Sequence, residues 1–296
     1  MEERNGLPTM SIVTASFSSP ELLDAHLRSI WNSSLRPDEM IVASSLDEDQ
    51  AAALISKYPG VNWVFAPGRD VFALRSLGVR QAREDVVVMT EDHCLWEVES
   101  LAAYSRAYQE RPLSIGGAIV NGRGESSFAW ALYFVEYANY SPELLRTHKP
   151  PLCSANALFP NGLLQKAESV WKNGFYDNEV HDAVAGQTWD VAPEAVVSSK
   201  LSFSLREAMI HMNAGGRRFG GYRWIHSSLP KRVALKFGAW LIPLVMWFRL
   251  LVKVGQTGSQ FWSATPYIVL LYSAWALGEL QAYWGPKEEV DSAFKS

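Results

Sequence analysis

Short apolar segments alternate with amphipathic segments through the first third of the chain, and this alternation limits the folds open to it. Apolar runs occupy residues 11–15, 40–43, 61–65 and 86–89. The segments between them show helical spacing of apolar residues, and Ser18, Ser19 and Pro20 precede the first of these. Strands alternating with helices form a parallel sheet, which binds ligands outside the carboxyl ends of its strands. The pattern predicts an α/β protein with its site at that edge.

Composition excludes several classes of function. The 296 residues are 48% hydrophobic, enough for one large α/β domain with an appendage, and the net charge of −4 does not indicate nucleic-acid binding. Motifs of the common nicotinamide enzymes, P-loop enzymes, serine hydrolases and zinc proteases are absent. Two distant cysteines fit a reducing compartment. The polar N-terminus leads directly into the first apolar run, so we expect no signal peptide and a cytosolic catalytic part.

The C-terminal part of the chain is basic and aromatic. No acid occurs between Glu207 and Glu279, a span with eight Lys and Arg residues and five tryptophans. Cations and indole rings are typical of a membrane interface. Residues 237–248 are too few to cross a bilayer, which needs about 20 apolar residues, and residues 261–278 are marginal because they contain Pro266. We expect an interfacial or re-entrant anchor; the alternative is a helical hairpin packed on the soluble domain or on a partner subunit.

The apolar run at 86–89 ends in Thr90, Glu91, Asp92 and His93, which brings two carboxylates and an imidazole to the predicted binding edge. Carboxylate oxygens suit Mg²⁺ and Mn²⁺, and Mn²⁺ also accepts imidazole. The pattern indicates a metal or phosphate site. The alternative is structural, with Glu91 capping the next helix and His93 packed under the loop.

The order of these segments resembles the GT-A fold of family 2 glycosyltransferases over roughly residues 9–225. In that family the first strand ends in a loop that touches the nucleotide, and the matching residues here include Thr14, Ala15 and Ser16. The family's second strand ends in two aspartates that hold the uracil or ribose. Here Ser44 and Ser45 stand in their place, which leaves the base of the donor open.

Two further motifs extend the resemblance. Residues 72–82 are similar to the family's Ala-Arg-Asn-x-Gly helix, which implies that Arg75 lies near the donor. The family's Asp-x-Asp motif aligns with Thr90 and Asp92. The resemblance therefore implies that Asp92, with Glu91 or His93, binds Mn²⁺ or Mg²⁺ and helps to hold the nucleotide-sugar. Such a metal neutralises charge on the leaving diphosphate.

The resemblance also implies a catalytic base. Inverting transfer needs a carboxylate that takes the proton of the acceptor hydroxyl. Family members carry it in a late Glu-Asp pair, and here His181 and Asp182 stand at that place. Asp182 is the expected base and Glu179 the reserve; the alternative is a solvated acidic turn without a catalytic role.

Three arginines, Arg217, Arg218 and Arg223, follow in a segment where membrane-associated family members often carry a helix-Gly-Arg sequence. A guanidinium group can bind phosphate through two hydrogen bonds. These residues are candidates for contact with the diphosphate or with lipid headgroups. The alternative is a patch that only faces a membrane.

The chain is thus interpreted as a membrane-associated glycosyltransferase, with a GT-A domain over residues 1–225 and an amphipathic or hydrophobic helical anchor over 226–296. Its expected partners are a nucleoside-diphosphate-sugar donor and a lipid-linked or otherwise membrane-proximal acceptor. The expected location is the cytoplasmic face of a membrane, the bacterial inner membrane. The alternative is a non-catalytic GT-A scaffold that serves as a binding or assembly subunit, favoured by Ser44, Ser45 and Thr90. The oligomeric state stays open, with a homo-oligomer among the options.

Overall fold

A computed structural model of the protein describes residues 7–184, 188–254 and 258–285. The described residues form two compact units, one of residues 7–122 and 139–200, the other of residues 123–138 and 201–285. The sequence predicted one boundary near residue 225, whereas the helix before that residue belongs to the second unit. The predicted end of the catalytic domain at residue 225 stays a prediction. The predicted anchor's last residues, 286–296, and the N-terminal residues 1–6 lie outside the described part.

One mixed eight-stranded sheet forms the centre of the first unit. Its strands are β1 (Met10–Ser16), β2 (Glu39–Ser44), β3 (Val61–Phe65), β4 (Val86–Glu91), β5 (Cys94–Trp96), β6 (Ser114–Asn121), β7 (Asn156–Pro160) and β8 (Trp189–Ser199). They lie in the order β3-β2-β1-β4-β7-β6-β8-β5. Strands β3, β2, β1 and β4 are parallel to one another, and β6 is parallel to β8. The remaining pairs, β4 with β7, β7 with β6 and β8 with β5, are antiparallel.

Thirteen α-helices occur in the described residues. They are α1 (Pro20–Trp31), α2 (Glu48–Lys57), α3 (Val71–Val79), α4 (Ser100–Glu110), α5 (Ser127–Tyr137), α6 (Pro142–Leu145), α7 (Asn161–Lys166), α8 (Glu168–Trp171), α9 (Asp177–Val184), α10 (Leu205–Ile225), α11 (Leu229–Gly238), α12 (Ile242–Val254) and α13 (Ser259–Trp284). Short 3₁₀ turns at Ala138–Tyr140 and Ala239–Leu241 follow α5 and α11.

Local sequence explains the first half of the sheet. Every residue of β1 and of β4 is buried, as expected of central strands covered on both faces. The predicted start of α1 is confirmed, because Ser19 caps it and Pro20 is its first residue. Asp47 caps α2 in a capping box with Gln50, and Asp70 caps α3. These caps end each crossover loop at a defined residue.

The second half of the sheet differs from the sequence prediction. Neither β5 nor β8 was predicted, since β5 has three residues and β8 carries Asp190, Pro193 and Glu194 instead of an apolar run. Strand β7 has five residues, and two short helices, α7 and α8, follow it. The sheet is therefore mixed, because β7 runs against both of its neighbours.

A buried amide organises the antiparallel part. The side chain of Asn156 donates to the carbonyl oxygens of Ala118 at 2.8 Å and Ala195 at 2.9 Å, and accepts the Tyr104 hydroxyl proton at 2.8 Å. The register of β6 against β8 shifts between Gly117 and Ala118. A Cβ at Gly117 would overlap the side chains of Asn156 and Tyr104, so this irregularity requires glycine.

The second unit is helical and is centred on α13. Helix α10 lies so close to α13 that a Cβ on Gly216 would overlap the backbone of Trp275, and one on Gly278 the backbone of Asn213. Helices α5, α11 and α12 also pack on α13. The carboxylate of Glu279 is buried between α10 and α13 and accepts hydrogen bonds from the side chains of Arg223, Trp275 and Tyr283.

Candidate functional site

The carboxyl ends of β1, β2 and β4 meet at one edge of the sheet, as the sequence predicted. Ser16 of β1 lies opposite Ser44 of β2, and Ala15 lies opposite Glu91 of β4. The Ser44 hydroxyl donates to the Ser16 hydroxyl at 3.5 Å, and the backbone N–H of Ser45 donates to the Ser16 carbonyl at 2.8 Å. The register therefore brings the predicted residues of three strands together.

Asp92 holds the loop between β1 and α1. Its Oδ2 accepts the backbone N–H of Phe17 at 2.9 Å and of Ser18 at 2.8 Å, and its Oδ1 accepts the Ser18 hydroxyl at 2.8 Å. Burial raises the pKa of Asp92, and the charge of His93 and the hydrogen bonds from Ser18 offset part of that rise. Both oxygens of this carboxylate are thus engaged by the loop that the family resemblance assigns to the nucleotide.

Arg75 is a buried cation held by two acids. Its guanidinium forms an ion pair with Glu91 and a second with Asp177, where Nη1 and Oδ1 are 3.4 Å apart. Burial lowers the pKa of Arg75, but the charges of Asp177 and Glu91 outweigh that effect and raise the pKa above its ordinary value. Asp177 is fixed in turn by the backbone N–H of Ser154 at 3.2 Å and by the Ser154 hydroxyl. Arg75 therefore stays charged and fixed beside the end of β4.

The three predicted metal ligands do not form one metal-binding group. Within residues 7–184, 188–254 and 258–285, no three His, Cys, Asp or Glu side chains are placed to hold a metal ion. Asp92 does not fit, because its oxygens face the β1–α1 loop. Glu91 and His93 lie close together, with Oε2 of Glu91 3.5 Å from Nδ1 of His93, and both side chains are buried. A carboxylate and an imidazole are donor types that Mn²⁺ accepts, so these two residues are the ones that would hold it.

The nucleotide-contacting residues predicted on β1 are largely enclosed. Ala15 is fully buried, and the Thr14 hydroxyl lies 3.0 Å from Nε2 of the buried His26. The other ring nitrogen of His26 lies 2.6 Å from the carbonyl oxygen of Cys94. Thr14 and His26 thus bridge β1, α1 and β5 inside the protein. Nucleotide contact by Thr14 and Ala15 stays a prediction, whereas Ser45 is partly exposed at the edge.

The acids predicted as catalytic base lie on α9, the helix that begins with Asp177. Successive residues of an α-helix turn by 100°, so Asp182 projects about 140° and Glu179 about 160° away from Asp177. Asp182 is exposed and Glu179 partly exposed. The structure brings Asp177 to Arg75 and directs Asp182 and Glu179 elsewhere, and their catalytic roles stay predictions.

Arg217, Arg218 and Arg223 lie on α10, in the second unit, whereas the other predicted site residues lie in the first. Arg223 forms an ion pair with the buried Glu279 at 3.1 Å, and Arg217 is exposed. The three arginines therefore do not act as one group, since Arg223 already neutralises a carboxylate. Their predicted contact with diphosphate or headgroups stays untested.

Asp177 and Ser154 are the site residues that sequence reasoning missed. Asp177 lies five residues before the expected base Asp182 and received no role, and Ser154 lies in a loop without a motif. One signal was available for Asp177. A buried arginine requires acidic partners, and the sequence prediction had already assigned Glu91 to a metal ion, so Arg75 needed a further acid. No local signal existed for Ser154.

A sheet with crossover helices, polar strand ends at one edge and a fixed arginine beside them defines an α/β enzyme of the GT-A class. Residues 11–166 match the sequence profile described as Glycosyl transferase family 2. The match covers more than half of the chain, which therefore belongs to that family, and glycosyl transfer is the activity class it supports. No curated protein matches the chain significantly.

Solved structures confirm the fold. One is the mannosyltransferase PcManGT from Pyrobaculum calidifontis in complex with GDP-Man and Mn²⁺; it is 14% identical, with a TM-score of 0.59, and the match covers 95% of this chain and 88% of that one. Another is GalNAc-T7 with UDP, GalNAc and Mn²⁺, 13% identical with a TM-score of 0.51, covering 68% of this chain and 44% of that one. At such identities the likeness establishes the GT-A fold alone.

Proposed function

We propose that the protein transfers a sugar, with inversion, from a nucleoside-diphosphate-sugar to a lipid-linked or other membrane-proximal acceptor. The observation that carries the proposal is the fixed cation of Arg75 beside the joined ends of β1, β2 and β4. The two acids fix the orientation of the guanidinium beside the strand ends, where the diphosphate of the donor would bind. The similar structures contain GDP-Man or UDP, which agrees with such a donor.

The residues of the edge have separate roles in this proposal. The partly exposed Ser45 contacts the nucleoside, and the buried Ser16 and Ser44 hold the strand ends beneath it. Asp92 shapes the β1–α1 loop around the nucleoside through three hydrogen bonds. Glu91 and His93 are the residues that would hold Mn²⁺ or Mg²⁺. A bound divalent cation would neutralise charge on the diphosphate.

The acceptor proton goes to an acid of α9. Asp182 is the proposed base, with Glu179 in reserve, because the family resemblance places the base at this point of the chain and Asp177 is engaged by the ion pair with Arg75. Asp177 acts through Arg75 and is a positioning residue. The expected location is a membrane on its cytoplasmic side, in keeping with the apolar residues of α11 and α12, whose combined length and composition would suffice to cross a membrane.

Calorimetric titration with a panel of nucleoside diphosphates, with and without Mn²⁺, tests the donor site. Replacement of Asp92 by Asn should weaken nucleotide binding by the same factor in both conditions, because the variant loosens the loop. Replacement of His93 by Gln should remove only the gain that Mn²⁺ provides. Asp49→Asn, at an exposed position of α2, is the matched control. Absence of binding to every nucleotide would favour the non-catalytic scaffold.

Transfer of labelled sugar to a membrane lipid extract tests the base. Asp182→Asn should abolish transfer while nucleotide binding is retained, and Glu179→Gln should leave transfer largely intact. Asp177→Asn should weaken nucleotide binding, because it removes one of the two acids that hold Arg75. If Asp177→Asn abolishes transfer with unchanged binding and Asp182→Asn does not, Asp177 is the base and the proposed assignment is wrong.

A further inference from the structure

Helices α11 and α12, with the 3₁₀ turn between them, expose a continuous apolar surface on the second unit. We define it as the α11–α12 face, formed by Phe237, Trp240, Leu241, Leu244, Phe248 and Val252. Each of these side chains is between 57% and 70% exposed. A monomer in water rarely exposes so many large apolar side chains together, so this surface is built to be covered.

The surroundings of the α11–α12 face are basic and aromatic. Lys231, Arg249 and Lys253 are exposed on the same two helices, and the chain has no acid from residue 208 to residue 278. Arg249 and Lys253 follow Phe248 and Val252 directly, so helical geometry places them along one side of the apolar stripe. This arrangement complements an apolar layer bordered by negative charge, which is the interface of a membrane that contains anionic lipids.

Two tryptophans of α13 mark the ends of the face. Trp284 makes a ring contact with Phe237, and Trp262 makes one with Trp247. Both tryptophans are more than half exposed, and Lys236 lies 4.4 Å from the centroid of the Trp284 ring. Indole rings prefer the depth of the lipid headgroups. The two ends of the face therefore favour the same depth in a membrane.

The packing of the second unit opposes a spanning orientation, although residues Leu229–Val254 are long and apolar enough to cross a membrane. Ala239 lies in the core cluster with Leu280 and Tyr283, and Trp247 packs on Phe261, so α11 and α12 cover one side of α13 over most of its length. Helix α10, with the exposed Arg217 and the ion pair of Arg223, covers another side. A spanning α11–α12 segment would draw α13 and α10 into the hydrocarbon, where arginine is strongly unfavourable. In addition, the uncharged residues 237–248 span only about 18 Å at 1.5 Å per residue, against about 30 Å of hydrocarbon.

We infer that the α11–α12 face binds the surface of a bilayer that contains anionic lipids and lies in the plane of one leaflet without crossing it. This inference rests on the membrane part of the proposed function and is independent of sugar transfer. It assigns the membrane contact to particular residues and places the protein on one side of the membrane.

Flotation of the full chain with vesicles tests the contact. Vesicles of phosphatidylcholine with one third phosphatidylglycerol should bind the protein, and Phe237→Ser with Leu244→Ser should reduce the partition coefficient at least tenfold. The control is Val98→Ser with Ile210→Ser, which removes two other apolar side chains that are more than half exposed. Equal binding by both double variants, or no binding by the unmodified chain, would overturn the inference. Nucleotide titration of the same variants should be unchanged, which keeps this test separate from the donor site.

The charge contribution is tested with Lys231→Gln and Lys253→Gln together. At about 1 kcal/mol for each lysine near an anionic surface, partitioning should fall about thirtyfold, and vesicles of phosphatidylcholine alone should show no such difference. Lys166→Gln with Lys172→Gln changes the net charge equally at exposed positions of the first unit and should have little effect. An equal loss for both lysine pairs would contradict a contact through this face.

Orientation is tested with cysteines at Ser228 and Ser259, exposed residues on the two sides of the α11–α12 segment. A membrane-impermeant maleimide is applied to sealed vesicles from expressing cells, prepared in both orientations, and labelling of the unmodified chain is subtracted. An in-plane segment gives labelling of both cysteines in the same vesicle orientation. Labelling in opposite orientations would show a spanning segment. Self-association in solution that Phe237→Ser and Leu244→Ser abolish, without vesicle binding, would assign the face to a second copy of the chain.

Discussion

The two units of the chain differ in where buried charge lies and in how much apolar surface they expose. In the first unit, the buried Arg75 lies at the edge of the sheet where strand ends converge; in the second, the buried Glu279 lies between two helices and joins them. Among the described residues, every large apolar side chain that is exposed, except Trp31 and Val98, belongs to the second unit. The first unit is thus built to hold a polar ligand, and the second to present an apolar surface. Four predictions can break or sharpen this contrast.

The largest effect is expected for Arg75→Ala. The variant leaves Glu91 buried without its cation, which should cost about 3 kcal/mol of stability or more, and nucleotide binding should be lost. Arg69→Ala, at an exposed position before α3, is the control and should change stability little. Urea unfolding and nucleotide titration measure both effects. If Arg75→Ala keeps its stability and loses only binding, the ion pairs do not stabilise the first unit and the contrast with Glu279 becomes sharper; retained nucleotide binding would break the contrast.

Gly278→Ala should weaken the second unit. The added Cβ would overlap the backbone of Asn213, so α10 and α13 must separate, at about 1–3 kcal/mol. Gly238→Ala is the matched control, because nothing lies near a Cβ at that helical position and alanine there should stabilise by up to about 1 kcal/mol. Thermal unfolding of both variants is the measurement. A neutral Gly278→Ala would show that the helix pair is looser than the structure indicates.

Acidification should destabilise the first unit through His26. Burial lowers the pKa of His26 to about 4 from 6.5, so between these values the unfolded chain binds a proton that the folded chain does not. Stability contributed by neutral His26 is complete above pH 6.5 and falls by about 2 kcal/mol at pH 5. Urea unfolding of the unmodified chain and of His26→Gln, each at pH 7 and pH 5, isolates the contribution of His26 to the loss of stability. An identical pH dependence in the variant would assign the loss to other groups.

The smallest effects are expected at helix caps, where the two units should behave alike. Asp47 opens α2 and Ser204 opens α10, each within a capping box. Alanine at either position should lower the free energy of unfolding by about 1 kcal/mol, since both caps are exposed and act only on their own helix. Unfolding midpoints of the two variants provide the test. A much larger loss for one of them would mean that its helix start also supports tertiary packing.

Much of the first unit follows from local sequence. The apolar runs of β1 to β4 and the start of α1 are short-range signals, and the sequence prediction places them correctly. Strands β5 and β8 could not be predicted, because β8 is partly exposed and contains Pro193, and its pairing is determined by Asn156 and the bulge at Gly117. Those contacts join residues far apart in the chain, which no window of sequence contains.

The candidate site divides in the same way. The sequence by itself determined that polar residues end three neighbouring strands, that Arg75 accompanies them, and that the C-terminal part is basic and aromatic without acids. Only the tertiary structure decided that Asp92 faces Phe17 and Ser18, 75 and 74 residues away, and that Asp177 reaches Arg75 across 102 residues. The reason is physical: strand and helix preferences act within one or two turns of chain, whereas the partner of a buried charge depends on which distant segments pack around it.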